Sequence, residues 1–281
     1  MDFNKIIQEL NCSQITRVAI FTTGLTILIF WLIRTSFARK SLSNSPPRRT
    51  NMPAYLPFIV LLAWFGIISA MVTVSRKFLP DLTELQNVFL DNIILCTAAI
   101  LSMPIVIFLV SRHFARRLKG FGLGTANIPK DILIAVLNLL AVWPLLVIVL
   151  ALTIYLGKLF LGPDFQLQQH QELKMISEHS QLLLRILIFV TVAVVVPVFE
   201  EMLFRGMFQT MVRSLITKPW PSIIVTSLLF AAVHANPEHW PALFVLSLCL
   251  GYSYEKSGSL LRPVFIHSLF NTASLIAAIY Q

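Results

Sequence analysis

The chain has 281 residues, of which 57% are hydrophobic and only 12% charged, where an average soluble domain carries about 25% charged residues. The formal net charge is +9, but the basic residues are scattered between apolar runs and form no single basic face, which argues against nucleic-acid binding. Cys12, Cys96 and Cys249 are an odd number without close spacing, which argues against a disulfide framework and a thiolate zinc site.

A mean hydropathy of +0.79 describes a polytopic membrane protein. One helical crossing needs about 20 mostly apolar residues. About eight such runs follow one another, near residues 16–33, 55–74, 89–111, 132–156, 182–204, 220–236, 240–254 and 260–279. The fold expected is an all-α membrane bundle of about eight transmembrane helices, the seventh being short. A polar stretch precedes the first run, as expected of a retained helix rather than a cleaved signal peptide. The segment from Arg39 to Pro53 gathers Ser, Asn, Pro and basic residues and reads as a linker. Between the fourth and fifth runs, Gly162 to Gln181 reads as an outer loop with a short amphipathic helix, containing His170 and His179. Two parts are expected: N-terminal membrane helices over 1–111, and a core over 112–281 that holds the chemistry.

Charge placement gives an orientation. Arg34, Arg39, Lys40, Arg48 and Arg49 follow the first run, and Arg112, Arg116, Arg117, Lys119 and Lys130 follow the third. Arg213, Lys218, Lys256 and Arg262 lie in later loops of the same parity. The positive-inside rule makes that side cytoplasmic and puts both termini outside. Short loops and the lack of a sorting signal point to a bacterial inner membrane.

The first four runs hold almost no ionisable groups, whereas the last four hold Glu200, Glu201, Arg205, His234 and His267. An ionised side chain at bilayer depth costs about 2.5–3.5 kcal/mol on insertion scales, so such residues usually have a function. Glu201 and Arg205 are i, i+4 neighbours in the favourable acid-first order and can neutralise each other. Glu200 points about 100° away around the helix and is left for another partner. Pro197, one turn earlier, lacks an N–H and frees a carbonyl. His234 closes the run Phe230-Ala231-Ala232-Val233-His234, on a face of small residues that permits close packing. His239, in Asn236-Pro237-Glu238-His239, belongs to a turn. His267 and Asn271 share a face of the last run, and their donors could form an oxyanion hole or an interhelical bond. A carboxylate and an imidazole sharing a water, with a second imidazole and an amide to hold developing charge, make up the equipment for acyl-bond hydrolysis.

The order Glu200-Glu201-x-x-x-Arg205, Phe230-x-x-x-His234 and His267-x-x-x-Asn271 resembles the CAAX-protease and bacteriocin-processing family, which includes the type II CAAX prenyl endopeptidases. Phe121-Gly122-Leu123-Gly124 and Gly258-Ser259-Leu260 agree with it. The resemblance implies an intramembrane endopeptidase acting on a membrane-associated protein or peptide, in contact with membrane lipid. In it Glu200 and His234 activate the water, His267 and Asn271 form the oxyanion hole, and Glu201 and Arg205 support the site. No cofactor is expected; zinc, which two Glu and two His could ligate, is disfavoured because no pair has zincin spacing. The alternatives are a non-catalytic scaffold or bacteriocin-immunity protein with the same fold and, more weakly, a transporter relaying protons through these groups. At ~1.5 Å per residue from the cytoplasmic charges, Glu200 lies about 20 Å deep, His234 about 24 Å and His267 about 8 Å. Tilted helices, or a sixth helix starting deep behind Pro219 and Pro221, would be needed to bring them level.

Overall fold

The computed structural model describes residues 12–124, 128–168 and 171–280. Lys5 and the rest of the polar N-terminal stretch, and His170 of the outer loop, lie outside the described residues. Among the described residues ten helices, apart from a short 3₁₀ turn, follow in order: α1 (Cys12–Arg34), α2 (Leu56–Phe78), α3 (Glu84–His113), α4 (Arg117–Phe121), α5 (Ile128–Leu161), α6 (Gln171–Glu178), α7 (Leu182–Ile216), α8 (Pro219–Ala232), α9 (Trp240–Ser257) and α10 (Leu261–Ile279). Among the described residues there is no strand, only an isolated antiparallel pairing of Thr50 with Phe114.

Each of the eight apolar runs is a helix. Among the described residues α1, α2, α3, α5 and α7 are long and apolar enough to cross a membrane. The apolar α8 has only 14 residues, and α9 and α10 are diluted by the polar side chains they bury. Local chemistry sets several boundaries. Thr83 and Gln86 form a capping box at the start of α3. Pro219 and Pro221 open α8, where a missing N–H costs nothing. The sequence pattern extends the sixth run to 236, but α8 ends at Ala232, and Pro237 then opens a 3₁₀ turn, Pro237–His239. The outer loop contains α6, the short helix expected there.

The packing is inverted relative to a water-soluble protein. Leu62, Phe108 and Leu133 are exposed, while Glu201, Arg205, Gln209 and Arg213 are buried. Large apolar surfaces facing outward suit lipid, and buried polar groups must then satisfy one another. This is an integral membrane protein. The main core joins Val60 and Trp64 of α2 and Ala98 and Val106 of α3 to Phe199, Phe204 and Phe208 of α7 and Phe230 of α8. α1 lies outside this core and packs on α5, with Gly24 against the Leu140 carbonyl, where any side chain would collide.

One clip fixes the start of α10. Gly122 follows α4 with φ +103°, a conformation open mainly to glycine. Its carbonyl accepts the Leu260 N–H at 2.9 Å, and a Cβ there would lie 2.8 Å from the Gly258 carbonyl. Tyr254 Oη donates to the Phe121 carbonyl at 2.9 Å, and Asp131 of α5 binds Arg262 at 2.8 Å and Ser259 at 2.6 Å. The two Gly-containing segments singled out in the sequence therefore meet each other.

Candidate active site

The site is built on α7, which is not a regular α-helix. Thr191–Val195 and Met202–Gln209 are π-helical, a local widening often found at functional sites. In the first stretch the Val196 N–H reaches back five residues to the Thr191 carbonyl. In that register the donor for the Val192 carbonyl would come from residue 197, a proline without an N–H. Asn271 Nδ2 of α10 supplies a donor at 2.7 Å.

One turn on, Glu200 and Glu201 take different surroundings. Glu201 is fully buried, and its Oε1 accepts from Arg205 Nη1 at 3.0 Å and from His267 Nδ1 at 2.9 Å. A carboxylate accepts only, so Nδ1 of His267 carries the proton in this bond. The other ring nitrogen, Nε2, lies 3.8 Å from Glu200 Oε2. Arg205 is held further by Ser247 Oγ of α9 at 2.8 Å and lies over the Phe230 ring, 4.6 Å from its centroid. Oε2 of Glu201 is buried and has no hydrogen-bond partner among the described residues.

Glu200, Glu201, Arg205 and His267 thus form one cluster between α7 and α10. The difference in depth counted along the sequence does not keep Glu200 from His267. His234 lies just beyond the end of α8, and its Nδ1 donates to the Phe230 carbonyl at 2.7 Å, which leaves the Nε2 lone pair free in the neutral ring. It forms no hydrogen bond or ion pair with either glutamate. The Phe230 ring connects the two imidazoles, with centroids 4.8 Å from His234 and 5.9 Å from His267. Asn271 reaches α7 at Val192, and not through the glutamates. His239 lies in the turn, with Nε2 2.7 Å from the Gln168 carbonyl of the outer loop.

Sequence reasoning missed the partner helix. Arg205, Gln209 and Arg213 recur every fourth residue on α7, and they meet Ser247, Gly251 and Glu255, which recur every fourth residue on α9. Gln209 Nε2 donates to the Gly251 carbonyl at 3.0 Å, and Arg213 Nε to Glu255 at 2.9 Å. The contacts advance together along both helices, so α7 and α9 run parallel with a polar seam between them. Two matching four-residue spacings, on the helices of the fifth and seventh runs, were the signal.

A catalytic zinc takes three protein ligands. Among the described residues no group of three or more His, Cys, Asp or Glu side chains is disposed to hold a metal ion. Oε1 of Glu201 is already shared by Arg205 and His267.

Fold and site together define a helical membrane protein with a carboxylate–imidazole cluster buried in its C-terminal half. Residues 182–273 match the model of the type II CAAX prenyl endopeptidase Rce1-like family, the kinship that the three motifs imply, and all three motifs lie inside the matched stretch. A stretch of 127 residues is 30% identical to an Escherichia coli protein described as an uncharacterized 24.3 kDa protein, covering 44% of this chain and 58% of that relative. The chain therefore spans less than two thirds of the relative's length. No solved structure matches.

Proposed function

We propose that the protein is an endopeptidase that hydrolyses peptide bonds of membrane-associated proteins or peptides, with Glu200 as the base that activates water. The observation that carries this reading is the position of His267, bonded to Glu201 through Nδ1 at 2.9 Å with Nε2 3.8 Å from Glu200. Glu201 is occupied by Arg205, so Glu200 is the carboxylate available for a proton.

In this mechanism a water between Glu200 and the Nε2 lone pair of His234 attacks the substrate carbonyl carbon and gives its proton to Glu200. The negative charge that forms on the carbonyl oxygen is met by donors from His267 Nε2 and the second amide hydrogen of Asn271. An imidazolium at His267 balances the charges, since two carboxylates, one guanidinium and one imidazolium sum to zero in a site of low dielectric. The C–N bond then breaks, and Glu200 returns the proton to the leaving amine. No metal takes part.

We also place the protein in a bacterial inner membrane with both termini outside, as the loop charges favour. Residues 1–111 act as a scaffold for the catalytic part over 112–281. The test uses the full chain in proteoliposomes with quenched fluorogenic membrane peptides, prenylated and unprenylated. Glu200→Gln and His234→Ala are each expected to abolish cleavage while leaving the protein inserted and folded. Cleavage retained by both variants would overturn the mechanism, and a cellular phenotype that persists without cleavage would favour a scaffold or immunity protein.

A further inference from the structure

A second polar site lies well away from the glutamates. The junction between α7 and α8 and the segment after α1 border an open cavity of about 380 Å³, whose walls include Arg39, Ser43, Arg213, Lys218 and Trp220. Its lining contains three basic side chains and no acidic one. Trp220 Nε1 donates to the Ala38 carbonyl at 3.2 Å and holds the segment after α1 against α8.

Arg213 is the buried member, 5% exposed. Its Nε binds Glu255 at 2.9 Å and its Nη2 the Ser45 carbonyl at 3.0 Å. Nη1 is buried without a partner among the described residues. A buried guanidinium hydrogen without an acceptor is costly, and Arg213 is one of the side chains that line the cavity. Glu255 offsets one positive charge, so Arg39 and Lys218 leave the cavity with a net positive charge. A planar guanidinium beside exposed ammonium and guanidinium groups is suited to phosphate. The cavity opens just past the ends of two membrane-length helices, at the level where phosphate headgroups lie, and a half-buried tryptophan is typical of that level.

We infer that this cavity binds an anionic phosphate group, carried by a lipid headgroup or free in solution. The site is independent of the proteolytic reading and would serve to anchor α1 and the α7–α8 turn at the membrane surface.

The experiment uses the purified full chain, titrated with short-chain phosphatidylglycerol and, separately, with inorganic phosphate. Each exposed basic residue near an anionic headgroup contributes roughly a fivefold gain in affinity. The double variant Arg39→Gln/Lys218→Gln, both at exposed positions, is therefore expected to bind about tenfold or more weakly, and Arg76→Gln/Lys77→Gln at the far end of α2 to bind as wild type. Arg213→Lys keeps a charge beside Glu255 but removes the fork, and is expected to lose affinity while melting near wild type. Binding of phosphatidylglycerol alone, with this dependence, assigns a lipid headgroup; equal binding of inorganic phosphate assigns a free anion. Unchanged affinity in the double variant or in Arg213→Lys, or an equal loss in the α2 control, overturns the proposal.

Discussion

Asn271 donates its side-chain amide to the carbonyl of Val192 at 2.7 Å, and Val192 is the residue whose backbone donor Pro197 cannot provide. The proline and the asparagine therefore form a unit, although they lie on different helices. Asn271→Leu should leave that carbonyl unpaired and destabilise the protein by about 1–3 kcal/mol. In a Pro197→Ala background, which restores the N–H, the same substitution should cost clearly less. Thermal unfolding of the four proteins in one detergent gives the coupling energy; strict additivity would show that the two residues act separately.

The adjacent glutamates should respond differently to the same change. Glu201→Gln removes the counter-charge of a fully buried Arg205, and breaking such a pair costs about 3–5 kcal/mol. Glu200→Gln touches no ion pair with arginine and should shift stability by about 1 kcal/mol or less, while abolishing cleavage. Melting curves and peptide cleavage measured on the same preparations separate the two; a Glu200→Gln protein as unstable as Glu201→Gln would contradict the division.

At the end of the α7–α9 seam, Glu255→Gln strands the buried Arg213 and should destabilise by about 3–5 kcal/mol, whereas replacing the pair together by Met and Leu should cost far less or nothing. Denaturation in a common detergent checks this. A double variant as unstable as Glu255→Gln would mean that the seam is held by something other than charge.

Gly122→Ala introduces a Cβ at φ +103°, 2.8 Å from the Gly258 carbonyl. The strained backbone alone costs about 1–3 kcal/mol, and relief requires the start of α10 to move. Because α10 carries both His267 and Asn271, cleavage should fall by a larger factor than the melting temperature shift would suggest. Gly124→Ala, which meets nothing within 4 Å, is the matched control and should behave as wild type.

The sequence made the helices legible because lipid demands long apolar runs, and it exposed Glu200, Glu201, Arg205 and His267 because charge is rare in such runs. The i, i+4 pairing of Glu201 with Arg205 could be read from helical geometry alone. Other features depend on which helices are neighbours. Ser247 looks like an ordinary small residue until α9 is known to lie beside α7, and the bond from Asn271 to Val192 depends on a π-helical register that hydropathy does not reveal. The depth count set Glu200 and His267 at different levels because it took upright helices measured from their own loop charges, whereas the two side chains lie 3.8 Å apart.

The clip at Gly122 also bears on how the protein could be divided. The stretch matched to the family begins at residue 182, yet the groups that seat the start of α10, Phe121, Gly122 and Asp131, all precede it. A chimera carrying only residues 182–273 on a foreign scaffold would inherit every side chain of the cluster without the anchor that sets the height of His267 against Glu200. Moving the chemistry intact therefore means cutting before Phe121.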